Sequence, residues 1–388
     1  MTKEINFKKF FSMGYTLVYL IFFCFLPLYY HDNLDNSILM LMIAITLISI
    51  IIFVATLNSR IVFGGKKKYF YLDFDFFSKT ILSIYVIVVM IILITAPSIP
   101  IIEAFKGTSQ GDLIMLRESF LKTRTGWESI LPYIITVLDS AIIPYIIIES
   151  FLRKSRNRFF YLIIFLMYSI SFLEKAYLFK IIIPLMFYLY TKAKNRKLFL
   201  IRSGVIILGF LSFMFTITQF GGVENSEKRS FFSIEYIPTG ILDAIVWRSF
   251  VVPVRTSYDA LLFFQNEFSD NLLGATSNLI ATLTLQERIN FERLLYFNQF
   301  GGNGTGNANF CFIEDAYINF SFVGVIFFSF LAGSLTRMTL KSRNLAAISI
   351  LPFFLFQIYN VSFIANFLNN GYFIFFFIIK FVKFRKSN

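Results

Sequence analysis

Long apolar runs alternate along the chain with short clusters rich in Lys, Arg, Asn and Gly. A helix needs about 20 mostly apolar residues to cross a bilayer, because in lipid every backbone N–H and C=O must be satisfied within the segment. Ten runs meet or approach this requirement: 11–30, 37–57, 80–99, 131–148, 159–173, 177–190, 199–218, 320–338, 345–363 and 371–382. The fifth, sixth and last are short. Glu174 and Lys175 sit where the fifth and sixth would reach the headgroup region. The first run is too long for the apolar region of a signal peptide and lacks a small-residue cleavage site, so it is expected to remain as a span. The pattern predicts an all-α, polytopic integral membrane protein with about ten to twelve spans. It divides into a membrane bundle at 1–218, a long connection at 219–319 with amphipathic or re-entrant helices, and closing spans at 320–388.

Composition narrows the class. Of 388 residues, 57% are apolar and only 15% charged, and 53 are Phe. That is more apolar surface than one water-soluble core can hide, which excludes a soluble enzyme and a disordered chain. Two Cys and one His exclude a disulfide scaffold and a Cys/His metal site. The net charge of +13 is explained by topology. With the N-terminus in the cytoplasm, two thirds of the Lys and Arg fall in inner connections, opposed only by Glu4, Asp73, Asp75 and Glu149. Both termini are then cytoplasmic and no nucleic-acid partner is needed. The longest connection, 219–319, faces outward, where no nucleotide sugar is present.

Charges inside or beside spans are costly and are therefore candidates for function. Asp139 lies mid-span, as a polar tie of the bundle or the lining of a substrate cavity. Glu174, Lys175 and Lys180 form either an ion pair or a cationic patch for an anionic headgroup. In the long connection, Pro253 is expected to stop or kink the apolar stretch 241–252, with a second helical stretch at 255–264. Arg248 and Arg255 flank it. Their seven-residue separation is about two helical turns, so on a continuous helix both point one way and suit a pyrophosphate. Arg255 could instead pair with Asp259. A helix at 283–297 carries Glu287, Arg288, Glu292 and Arg293. The glycine-rich stretch 301–309 reads as a substrate-facing loop or a plain flexible one. Asp315, with Glu314 beside it, could accept a proton from a sugar hydroxyl, or could simply cap a helix. The Asp73-Phe-Asp75 triplet looks like a nucleotide-sugar metal motif, but it lies in a short inner loop with no domain to hold a nucleotide.

The Phe- and Ile-rich chain, its ten or more spans, the long outer connection before the third-last span, the arginines at 247–259 and the stretch GTGNANFCFIEDAYINFSFVG at 304–324 together resemble the O-antigen polymerase (Wzy-type) family of bacterial surface-polysaccharide assembly. The resemblance implies a GT-C-like fold in the inner membrane. It implies transfer of a growing glycan from undecaprenyl pyrophosphate to a sugar hydroxyl of a lipid-linked repeat unit, on the periplasmic face, with no metal or cofactor. A chain-length regulator protein would be among the partners. On this reading Arg248 and Arg255 bind pyrophosphate and Asp315 deprotonates or orients the acceptor. Arg288, Tyr258, Tyr317 and Asn319 line the glycan groove, with Glu314, Lys175, Lys180 and Asp139 as further substrate contacts. The related O-antigen ligases carry an outer-loop His, whereas the only His here is His31 in the first outer turn. That departure argues against a ligase. A lipid-linked oligosaccharide flippase is the other alternative, but internal repeats are not visible. A non-enzymatic partner in an assembly complex is a third.

Overall fold

The structure is a computed structural model and describes residues 6–385 apart from 60–68, 109, 122–123, 172–174, 218–229 and 302–305. Some helical side chains, that of Lys175 among them, also lie outside the description. The first half comprises α1 (Phe7–Tyr29), α2 (Asn36–Asn58), α3 (Phe74–Thr95), α4 (Pro100–Phe105), α5 (Gln110–Leu121), α6 (Gly126–Leu152), α7 (Arg158–Ser171), α8 (Lys175–Lys192) and α9 (Arg196–Ile217). The second half comprises α10 (residues 241–267), α11 (Asn278–Leu283), α12 (Phe291–Phe300), α13 (Phe312–Ser342), α14 (Leu345–Asn360), α15 (Phe363–Asn369) and α16 (Tyr372–Phe381).

A helix stands at each of the ten predicted runs. Five helices (α1, α2, α3, α6 and α13) are long and apolar enough to cross a membrane, or six if α15 and α16, bent by 68°, form one span. The chain is thus an all-α, polytopic membrane protein. Its spans present Ile51, Ile87, Ile94, Met167 and Val323 outward, more than half exposed, as lipid contact requires. Side-chain caps start several of them. Asp35 accepts from the N–H groups of Ser37 and Ile38 ahead of α2, Asp73 from Phe76 ahead of α3, and Asn344 from Ala347 ahead of α14.

Proline shapes three of the helices in one way. The widened π-type turns Leu20–Phe25, Leu138–Ile142 and Trp247–Val251 each end two residues before a proline: Pro27, Pro144 and Pro253. A proline removes one backbone donor and its ring crowds the carbonyl four residues back. Widening the preceding turn relieves the crowding without ending the helix. Of the stop or kink expected at Pro253, the stop does not occur, because α10 runs through it. Pro184 and Pro352 sit inside α8 and α14 without a widened turn.

Helix α2 packs on α13 through small residues. A Cβ at Gly333 would press on the Phe53 carbonyl and on Thr56, and Ser329 donates to Ser49 at 2.7 Å. Tyr15 of α1 joins Ser49 at 2.8 Å and stacks on Phe53 with ring centroids 3.9 Å apart. Close approach through small and hydroxyl residues is what holds helices together where lipid supplies no hydrophobic drive. A parallel ribbon pairs β1 (Phe70–Leu72) with β2 (Val382–Phe384).

Two further expectations are corrected. The helix expected at 320–338 begins at Phe312, so Glu314, Asp315, Tyr317 and Asn319 are helical rather than in an approaching loop. It breaks at Phe320 (φ −138°) and Ser321 (φ 53°). The helix expected at 283–297 is two helices, α11 and α12, because Leu285 takes a left-handed φ of 55° and residues 286–290 adopt no regular structure.

The break in α13 brings its two parts close. A Cβ at Gly324 would collide with the Ala316 carbonyl and the Phe320 side chain. Gly324→Ala is expected to lower stability by about 1–3 kcal/mol, as overpacking does. Gly14→Ala, with nothing near its added Cβ, should leave stability equal or slightly higher. Thermal unfolding midpoints of the two variants in detergent provide the check.

Candidate functional site

The segment between α9 and α13 builds two cavities that share α12 as a wall. Helix α10 supplies the other wall of the first. Its buried stripe (Trp247, Val251, Val254, Tyr258 and Leu261) faces the bundle, and the Tyr258 hydroxyl accepts from the Asp35 N–H at 2.6 Å. Tyr258 is thus tied to the turn before α2 and does not line either cavity. The opposite side of α10 carries Arg255, Asp259, Leu262 and Asn266.

The first cavity, of about 290 Å³, is lined by Arg255, Asp259, Asn266, Glu267, Asn298 and Gln299 with Ile234, Leu262 and Phe263. Arg255 Nη2 lies 2.8 Å from Asp259 Oδ1, and Gln299 Nε2 donates to Asp259 Oδ2 at 2.8 Å. The guanidinium stacks over Tyr258 at 5.1 Å and Phe232 at 5.7 Å, while its Nε–H is buried without a partner among the described residues. Burial raises the Asp259 carboxyl above its ordinary 3.8, and Arg255 and Gln299 pull it part of the way back.

The second cavity, of about 580 Å³, is lined by Glu287, Arg288, Arg293 and Asn290 with Phe268, Ile289, Leu294 and Phe297. Neither Arg288 nor Arg293 has an ion-pair partner within 4.0 Å among the described residues. Arg293 lies over the Phe297 ring at 5.5 Å. Half-buried Glu292 stands at the start of α12, its carboxyl pushed up by burial and pulled back by Arg288.

Behind α12, the broken helix α13 is locked to the loop at 271–277. The break frees carbonyls at its first segment's end, and the loop supplies their donors. Leu272 N–H donates to Ile318 O at 3.1 Å, Leu273 N–H to Asn319 O at 2.9 Å, and the Asn271 amide to Tyr317 O at 2.9 Å. Asn319 is the hub. Its amide nitrogen donates to Asp315 Oδ1 at 3.1 Å and to Thr276 Oγ1 at 2.9 Å, and its Oδ1 accepts from the Gly274 N–H at 3.0 Å. Asp315 and Asn319 are buried, and Tyr317 is half-buried, edge-on to Phe322. Glu314 is fully buried, with its carboxyl beside Ser257 and Cys311.

The structure therefore regroups the residues singled out in the sequence. Arg255 lines the first cavity and Arg288 the second. Arg248 is exposed in the widened turn and lines neither. The expected pair on one face is not assembled, because the π-type turn between the two arginines changes the helical phase. Asp315 and Glu314 lie in the packing behind the cavities. Lys180 Nζ is 3.6 Å from Asp139 Oδ2 and 3.6 Å from the centre of the Tyr177 ring, with both charges buried between α6 and α8. Glu174 lies outside the described residues, as do residues 302–305 of the glycine-rich stretch. Gly306 and Ala308 of that stretch are packed down: a Cβ at Gly306 would strike the Tyr296 ring, and Ala308 N–H donates to Glu292 O at 3.0 Å.

Arg293, Gln299 and Asp259 are the cavity residues that sequence reasoning left out of the site. The i,i+4 spacing of Arg255 and Asp259 was the available signal for the last. Nothing local pairs Arg288 with Arg293, since a new helix begins between them. Among the described residues no group of three or more His, Cys, Asp or Glu converges as a metal site would require.

Compared with known proteins, the chain matches no family model, no curated protein and no solved structure.

The raised Asp259 carboxyl gives stability a pH dependence of known sign. The folded protein keeps a proton over an interval in which the unfolded chain has released it, so stability falls as pH rises through that interval, which starts near pH 3.8. Asp259→Asn removes the titration. Unfolding midpoints measured across that range should decline for the native chain and decline less steeply for the variant.

Proposed function

We propose that this protein is a membrane glycosyltransferase that polymerises lipid-linked glycan repeat units outside the cytoplasm, as the resemblance to O-antigen polymerases implies. The observation that carries the reading is the pair of cavities sharing α12. A transfer between two lipid-linked substrates needs two adjoining sites with different chemistry. The second cavity offers two guanidiniums with no carboxylate within 4.0 Å among the described residues, beside Glu287 and apolar side chains, which suits a polyprenyl diphosphate. The first offers amides, two carboxylates and a cation, which suit sugar hydroxyls.

In the reaction the acceptor hydroxyl oxygen attacks the anomeric carbon of the donor glycan. The bond from that carbon to the diphosphate oxygen breaks, and its electron pair leaves with the diphosphate. Arg288 and Arg293 stabilise the charge that builds there, a role that cations placed in advance can fill. The hydroxyl proton passes to Asp259, whose carboxylate lines the acceptor cavity and is oriented by Arg255 and Gln299. Asp315 and Asn319 act from behind, holding the loop at 271–277 against α13. The driving force comes from the activated diphosphate bond.

The test is polymerisation of purified lipid-linked repeat units by the purified protein, with and without a chelator. Arg288→Ala and Arg293→Ala are each expected to reduce kcat/KM by about 10²-fold. Asp259→Asn is expected to reduce it by roughly 10²- to 10⁴-fold, whereas Arg248→Ala should retain most activity. Polymer of normal length and rate from the Arg288→Ala/Arg293→Ala double variant would overturn the diphosphate assignment. Cells lacking the protein should display surface glycan limited to one repeat unit; total loss of surface glycan would instead indicate transport.

A further inference from the structure

A third cavity lies at the opposite kind of location, where the predicted inner connections meet. It has a volume of about 520 Å³ and brings together the start of α3, the turn between α6 and α7, and the end of β2. Asp73, Asp75, Lys79, Arg153, Arg156 and Arg385 supply its charges. These positions are up to three hundred residues apart in sequence, so the cluster is a product of the fold.

The charges are not equivalent. Asp73 is engaged as the cap of α3, its Oδ1 accepting from the Phe76 N–H at 2.8 Å. Arg153 is held in place: its Nε is 2.7 Å from Glu149 Oε1, its Nη1 donates to the Arg385 carbonyl at 3.0 Å, and its guanidinium lies 4.7 Å from the Phe74 ring. Lys79, Arg156 and Arg385 have no carboxylate within 4.0 Å among the described residues, and Asp75 is the one acid left to oppose them. The cavity is therefore short of negative charge.

The sequence neighbours of its lining residues Asp75, Asn157 and Tyr161 supply the second observation. Phe76 in the first turn of α3 is 72% exposed, and Phe159 and Phe160 in the first turn of α7 are 55% and 62% exposed. Aromatic side chains bare to the surroundings beside a cationic recess match a ligand that carries a phosphate and an apolar tail together. A free phosphate would use the cations and leave the aromatic rings without a role. Cations next to membrane helices attract anionic lipid, each worth roughly a fivefold gain in binding.

We infer that this cavity is a binding site for the headgroup phosphate of an anionic glycerophospholipid, with Lys79, Arg156 and Arg385 as phosphate contacts and Phe76, Phe159 and Phe160 against the acyl chains. The inference is independent of the proposed transferase activity.

The test uses delipidated full-length protein in detergent, titrated with dioleoyl phosphatidylglycerol, dioleoyl phosphatidylcholine or inorganic phosphate, with bound lipid counted by native mass spectrometry. Phosphatidylglycerol should bind at least about tenfold more tightly than phosphatidylcholine. The Arg156→Gln/Arg385→Gln variant should lose that preference. It should still fold, because the structural bonds of Arg385 run through its backbone, its N–H donating to Leu72 O at 3.0 Å. Lys192→Gln/Lys194→Gln removes equal charge from exposed positions outside the cavity and should leave the preference intact. Equal binding of the two lipids would overturn the inference. So would equal loss from both double variants, and so would binding of inorganic phosphate with no phosphatidylglycerol preference.

Discussion

Every carbonyl released by a broken helix must find a donor, and in this protein that demand decides where the segment between α9 and α13 sits. The break at Phe320–Ser321 frees the carbonyls of Tyr317, Ile318 and Asn319, and the loop at 271–273 meets all three. Once the loop is captured, α11 follows directly from it, and the chain leading into α12 is tied to it by Ile289 N–H donating to Ala275 O at 3.0 Å. Asn319 adds side-chain bonds to the same loop and to Asp315, so a buried polar network holds what lipid-facing packing could not. Both cavities rest on this junction, since each uses α12 as a wall.

The widened turns are a second device of the same kind. Each lets a helix continue past a proline while shifting the phase of its side chains. In α6 the shifted turn contains Asp139, the partner of Lys180, and in α10 it contains Arg248. The turn in α6 also receives the bend between α15 and α16: Gly371, at φ 71°, lies against Val137 so closely that no side chain would fit. A buried ion pair and a bent span are thus organised around one local departure from α geometry.

The apolar runs were legible because the requirement for about 20 lipid-compatible residues is written residue by residue. Helix starts at Asp35, Asp73 and Asn344 follow from side chains that cap locally. The site was less legible, because its determinants act between distant segments. Whether a proline widens a turn depends on packing, as Pro184 and Pro253 show by behaving differently. The seven-residue spacing of Arg248 and Arg255 promised a shared face only on a regular helix. Arg288 and Arg293 meet in one cavity because the chain leaves and re-enters helical geometry between them. The polar lock on Asn319 needs Asn271 and Thr276, more than forty residues away.

The ribbon joining β1 to β2 has a temporal meaning. Phe70, Tyr71 and Leu72 are matched with Val382, Lys383 and Phe384, so each pair joins residues 312 apart in sequence and one strand is made long before the other. During insertion of all the intervening helices the first strand has an open edge, and helices near it can still rearrange. Closure of so distant a pairing is slow and comes late. The second strand therefore works as a latch: it engages only after the helices between the two strands have been made, and it then fastens the chain ahead of α3 to the end of α16.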